Sequence, residues 1–172
     1  ASITFFTDRL DGSLMMESKQ FLGGDLKYES DTPLEESSFP IGDYTYASIY
    51  EFGSVLGSSK KFQLASVKSV SSPYPLVGEF EILKKYDEKV LETNPPKPGK
   101  VWLDTRLANL LEVTINDKIN IGEKDFSISG IILAESDRGA GSFAFAPKAI
   151  MNSSDLEEAN VIQPGSRVRY SY

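Results

Sequence analysis

The chain has no cysteine and no histidine among its 172 residues. Without cysteine there is no disulfide framework and no thiolate metal site, although the compartment stays open. Without histidine the commonest general base, the Ser-His-Asp arrangement and the usual transition-metal ligand are lost together. Carboxylates, lysine, tyrosine and hydroxyls are what remains for chemistry, so no enzyme, cofactor or metal site is expected. Long apolar runs are missing as well, and nothing approaches the roughly 20 residues that span a bilayer. Positive charge is scarce: 18 Lys+Arg against 25 Asp+Glu leave a net charge of −7. Such a chain has no electrostatic reason to bind nucleic acid. What is present, 40% hydrophobic and 25% charged residues, is the composition of an ordinary folded domain or of two small lobes.

The best organised stretch runs from Gly99 to Arg138. Val101-Trp102-Leu103 meets Asp104, a good N-cap, and then Thr105 to Leu111 places Leu107, Leu110 and Leu111 on one helical face. After Asn116-Asp117 the period becomes two. Ile119 and Ile121 alternate with Lys118 and Asn120, Gly122-Glu123-Lys124 turns, and Phe126 to Ser129 alternates back, predicting a β-hairpin. The second strand enters Ile131-Ile132-Leu133, apolar enough for burial on both faces. Trp102 is expected to plug the space between helix and hairpin.

Elsewhere the pattern is less regular. Ile3 to Leu22 reads as an amphipathic helix ended by Gly23-Gly24, and Asp25 to Ser30 as a half-buried strand. Pro33 to Phe39 allows barely a turn or two of helix. Asp43 to Phe52 and Lys61 to Val70 read as paired strands around a loop, Gly53 to Lys60. Glu79 to Leu83 is a short strand, Asn94 to Gly99 a stiff connector, and Phe143 to Ala146 is strand-like. Pro147 to Asn152 leads to Ser154-Asp155-Leu156-Glu157, a capping-box pattern for a short helix, and Arg167 to Tyr172 is a final strand. The ends look cut from a longer chain. The two proline breaks partition the chain into an α+β lobe from residues 1–75 and 140–172, with an inserted β-rich lobe at 76–139.

Few groups suggest a site. Asp137-Arg138-Gly139 is a candidate partner-facing loop, against which stands a local ion pair with a turn glycine. Tyr44, Tyr46, Tyr50 and Phe52 share one face by alternation; a ligand groove is the sharper reading and core the commoner one. Glu35-Glu36 and Glu157-Glu158 lack the fixed separation in a cleft that carboxylate catalysis needs. Lys118 and Lys124 flank the hairpin without a phosphate loop, and Gly139-Ala140-Gly141 lacks the following Lys-Ser/Thr.

Several pieces, in order along nearly the whole chain, carry a resemblance. They are Phe5-Phe6-Thr7-Asp8-Arg9-Leu10, Gly24-Asp25-Leu26, Tyr74-Pro75-Leu76-Val77-Gly78, and Val101-Trp102-Leu103 through Leu107-Ala108. Asp117, Gly122, Phe126 and Gly130 continue them, followed by Asp137-Arg138-Gly139, Ala146-Pro147 and Ile162-Gln163-Pro164-Gly165-Ser166-Arg167-Val168-Arg169-Tyr170. Together they resemble the extracytoplasmic core domain of FtsX-like, MacB-type ABC transporter permeases, nearest to the YbbP-type branch, which is linked to lysophospholipase or ester metabolism. One departure is the segment Pro33 to Phe39, too short for the helix that follows the family's first strand. The resemblance implies a split βαββαβ porter-like lobe with an inserted sabre-like lobe. It also implies a non-catalytic periplasmic segment of an inner-membrane permease, transmitting ATP-driven movement from a cytoplasmic ATPase through transmembrane helices. An envelope partner, such as a periplasmic hydrolase, and an amphiphilic or lipid-like cargo fit that role. The rivals are a free-standing module for a small apolar ligand and a carboxylate-dependent hydrolase.

Overall fold

The computed structural model describes residues 13–15, 27–35, 39, 45–75, 79–134 and 146–172. The described chain forms β1 (Ser13–Met15), β2 (Lys27–Ser30), β3 (Ile49–Gly57), β4 (Phe62–Val70), β5 (Phe80–Leu83) and β6 (Lys89–Glu92). It continues with β7 (Lys100–Asp104), helix α1 (Thr105–Leu111), β8 (Lys118–Ile121) and β9 (Lys124–Ala134). Last come β10 (Lys148–Asn152), a 3₁₀ turn at Ser153–Asp155, helix α2 (Leu156–Ala159) and β11 (Val168–Ser171). This is a sheet-dominated α+β architecture.

The ladder closes on itself. β3 pairs β4 antiparallel, β4 pairs β10 parallel, β10 pairs β7 antiparallel, and β7 pairs β9 parallel. β8 then pairs β9 on one side and the end of β3, Leu56 and Gly57, on the other. β3, β4, β10, β7, β9 and β8 thus make a ring, with β11-β2-β1 attached to the first half of β3 and β5-β6 to the second half of β9. Strands from residues 1–75, 76–139 and 140–172 share this one ladder.

Alternation along each strand sends one set of side chains into the ring and the other outward. The inner set is Phe52, Leu56, Ala65, Val67, Val101, Leu103, Ile119, Ile121, Phe126, Ile128, Ala149 and Met151, and α1 packs Leu107, Ala108 and Leu111 against it. Burying an apolar side chain of this size contributes about 1.5–3 kcal/mol. The outer set gathers Ile49, Val70, Tyr74, Phe80, Ile82, Trp102, Ile132 and Ile150 into a second cluster. Trp102 is therefore fully buried but on the face away from α1, against Phe80 (ring centroids 5.2 Å apart), which corrects its expected place between helix and hairpin. Its neighbours Val101 and Leu103 point inward, and a central strand covered on both faces reads as a continuous apolar run. A bulge explains Ile131 and Ile132: Val101 faces Ile128 but Trp102 faces Gly130, so Ser129 is an extra residue and the alternation flips after it.

Asp104 caps α1 as its position predicts. Its Oδ1 accepts the Leu107 N–H (2.7 Å), while Oδ2 accepts the N–H of Lys148 (3.0 Å), joining the helix start to the start of β10. Other expectations need correction. Ser13–Met15 pairs with β2 as a strand rather than lying inside a helix; Asp11-Gly12 just before it is a turn signal, and glycine disfavours a helix interior. The other residues of the expected first helix lie outside the described residues. β3 begins at Ile49 and runs through the expected loop to Gly57, because Val55 and Leu56 continue its alternation. Ser154 does not cap the short helix near the end: Asn152 Oδ1 accepts the Ser154 N–H (3.0 Å) and caps the preceding 3₁₀ turn, and Asp155, at the N-cap of α2, turns its side chain inward without a capping bond. Of the strand-like piece Phe143 to Ala146, only Ala146 is described, and it is a bend.

Candidate functional site

Two polar or aromatic constellations stand out among the described residues. The first fixes the β8–β9 hairpin turn. Asp155 is only 3% exposed, and the register of α2 aims its carboxylate at two segments distant in sequence. Its Oδ2 accepts the Gly99 N–H (2.8 Å) and its Oδ1 lies 3.3 Å from Lys124 Nζ. Lys124 also pairs with Glu158. Beside it, the Glu123 N–H donates to the Ala159 carbonyl (2.8 Å). The hydrogen bond to Glu158, opposed by burial and assisted by Asp155, raises the Lys124 amine above its ordinary 10.5. This cluster is a clamp.

Because the Lys124 pKa is raised on folding, its contribution is complete below 10.5 and is lost as pH rises through the raised folded value. The difference in Tm between the native chain and Lys124→Met is accordingly expected to stay flat from neutral pH to about 10 and to close above that. Thermal melts across that range check it; a gap that closes near neutrality would contradict the assignment.

The second constellation is aromatic and lies at the other end of β3. Register places Tyr170 opposite Tyr50, and Tyr172 exchanges backbone hydrogen bonds with Tyr28. Tyr50 and Tyr170 meet edge to face at 4.7 Å, while Phe39 stacks on Tyr46 at 5.3 Å and lies 5.2 Å from Tyr172. The Tyr172 hydroxyl accepts the Leu34 N–H (2.9 Å) and is hydrogen-bonded to Tyr50. Burial, reinforced by Tyr50, pushes the Tyr172 phenol well above its ordinary range, and burial followed by the charge of Tyr50 raises that of Tyr170. Both stay protonated at any physiological pH, Tyr172 as a hydrogen-bonding group and Tyr170 as a ring packed on Tyr50.

Of the tyrosine face expected from the sequence, Phe52 enters the ring core, while Tyr50 and the partly exposed Tyr46 join the aromatic cluster; Tyr44 lies outside the described residues. Sequence reasoning missed Tyr28, Tyr170 and Tyr172 as members. The period of two in Tyr170-Ser171-Tyr172 was the available signal. The candidate partner-facing residues Asp137, Arg138 and Gly139 lie outside the described residues. Glu157 and Glu158 are exposed, with Glu158 committed to Lys124.

Outside the chain itself, no protein-family model matches. An "Uncharacterized ABC transporter permease YbbP" from Escherichia coli (strain K12) is 34% identical over 179 aligned residues, 96% of this chain. The chain is a homologue of part of an ABC transporter permease. It spans 20% of that relative's length. Among solved structures, the chain is similar to the extracellular domain of the noncanonic ABC-type transporter YknZ from Gram-positive bacteria. That match has a TM-score of 0.47 and 5% identity, covering 73% of this chain and 63% of that one. The periplasmic region of MacB from Actinobacillus actinomycetemcomitans gives a TM-score of 0.44 and 14% identity, covering 74% of this chain and 56% of that one.

Proposed function

We propose that the chain is the periplasmic segment of an inner-membrane ABC transporter permease and that it is non-catalytic. In this reading it couples ATP-driven movement of a cytoplasmic ATPase to an extracytoplasmic partner or an amphiphilic cargo. The observation that carries the reading is identity to a permease along nearly the full chain. The topology supports a mechanical role. β11 is bonded to β2 on one edge and to β3 on the other, so displacement delivered along it enters the sheet at two strands. From β3 it passes around a closed ladder of paired strands. The porter-like part (1–75 and 140–172) and the sabre-like part (76–139) of the proposed βαββαβ arrangement would then move as one body, since β7 is bonded to β10 and β8 to β3. Asp137, Arg138 and Gly139 are kept in this proposal as a partner-facing loop.

This segment carries no cysteine of its own, so the test uses the full-length permease with any cysteines outside the segment replaced. A single cysteine in place of exposed Leu110 carries one spin label in the full-length permease, and a second label sits on its ATPase. The distance between them is expected to change between nucleotide-free and nucleotide-trapped states in a lipid bilayer. An unchanged distribution, with ATP hydrolysis intact, would sink the mechanical reading.

A further inference from the structure

The β3–β4 hairpin leaves a surface that neither core claims. Val55 is 57% exposed, Phe62 77% and Leu64 61%. Singly, exposed apolar residues are ordinary. These three are contiguous: Leu64 is directly opposite Val55, and Phe62 is opposite Gly57, all on the outer face. Phe62 is also held in place. Its ring lies over Gly57, where an added Cβ would meet it at 2.9 Å and Asn120 Oδ1 at 2.3 Å.

Among the described residues the backbone beside this patch has no partner strand either. β10 pairs with β4 only from Ser66 to Val70. The Ser66 N–H, which donates to the Pro147 carbonyl (2.8 Å), fixes which amides point away from β3: those of Phe62, Leu64 and Ser66. Among the described residues no strand lies along Phe62–Ala65 on that side, and the Leu64 carbonyl accepts the side chain of Gln63 (3.0 Å). An edge with no described partner and with apolar side chains is a template for one more strand.

Charge selects the occupant. No Asp or Glu occurs between Glu51 and Glu79, whereas Lys60, Lys61 and Lys68 fall inside that stretch of an otherwise acidic chain. Lys60 and Lys61 adjoin this edge; among the described residues the ion pair found there is Lys61 with Glu112, 3.9 Å apart with both side chains more than half exposed, a pairing of little energy. Two lysines at an edge repel the same edge of a second copy and attract carboxylates.

We propose that this edge receives an extended segment of a protein partner, alternating apolar with acidic residues. The segment would extend the sheet beside Phe62–Ala65. Its apolar side chains would cover Val55, Phe62 and Leu64 while its carboxylates meet Lys60 and Lys61. Neither the transport reading nor its failure alters this surface.

The test uses the whole chain and a short synthetic peptide alternating valine with glutamate, with a valine–lysine peptide as its control. Amide NMR is expected to show saturable changes centred on Phe62–Ala65 with the acidic peptide alone, weakening as salt is raised. Leu64→Pro removes the outward N–H while sparing the bonds to β3, and Lys60→Glu with Lys61→Glu reverses the charge at an exposed turn. Each is expected to weaken binding by about tenfold or more, since one lost charge-assisted or backbone contact at an interface has that effect. Leu91→Ser, at another exposed apolar position, should leave binding unchanged. Equal binding of the basic peptide, changes centred elsewhere, or no saturation overturns the proposal. So does slow exchange of the Leu64 amide in the free chain: at high dilution it means that the chain covers its own edge, and at high concentration only that a second copy does.

Discussion

Replacing Trp102 with alanine is expected to cost about 3–5 kcal/mol of unfolding free energy, measured by urea denaturation followed by circular dichroism. The side chain is 2% exposed and sits where β10, β7 and β5 bring Ile150, Phe80 and Ile82 together, so little of the surroundings can collapse into its space. Trp102→Phe keeps an edge-to-face partner for Phe80 and should lose much less, about 1–2 kcal/mol. If the alanine variant cost under about 1 kcal/mol, the outer cluster would not be a packed core at all. The chain's one tryptophan also makes native unfolding visible by fluorescence, from the outer cluster specifically.

Gly122→Ala should be comparably damaging although it adds one methyl group. Gly122 has φ +59°, and a Cβ there would stand 2.1 Å from the Ala159 carbonyl oxygen and 2.5 Å from Val161 Cγ1. Left-handed backbone costs a non-glycine residue roughly 1–2 kcal/mol, and overpacking against main chain adds about 1–3 kcal/mol. The methyl must push the turn off α2, taking with it the Glu123–Ala159 hydrogen bond and the reach of Lys124 to Asp155. Urea unfolding of the variant measures the sum. A loss below about 1 kcal/mol would mean that the turn is free to lift without disturbing α2.

Local pattern explains which elements were legible in advance. α1 and the β8–β9 hairpin sit where the apolar period switches from helical to two, with Asp104 and Gly122 marking the boundaries. β4, β5 and β11 were legible for similar reasons. β10 was not, although it lies between β4 and β7: Ala149-Ile150-Met151 is too short to announce a strand, and Pro147 before it reads as a break. Ring closure was invisible because Leu56 and Ile121 meet through tertiary packing, not through any neighbouring sequence. The face taken by Trp102 follows from what covers each side of β7, and the flip at Ser129 is a one-residue event that alternation cannot foresee. In the site the same division holds. Lys124 was noticed for its place beside the turn, but its partner Asp155 was assigned to a helix cap. Homology to part of a permease was legible from ordered motifs such as the run from Ile162 to Tyr170, whereas Asp137-Arg138-Gly139 remains an expectation tied to that resemblance.

The closed ladder has a further consequence for how the chain reaches its native state. A hairpin such as β3–β4 can form by itself, since its strands are neighbours in sequence. The pairings of β4 with β10, and of β8 with β3, join segments far apart along the chain, so their loop-closure entropy is lost before the core they enclose compensates for it. No half-built ring buries both ends of α1. The six strands should therefore assemble in one cooperative step with a diffuse, late barrier, while β5–β6 and β11–β2–β1, each held through one strand of the ring, are free to join last and to leave first.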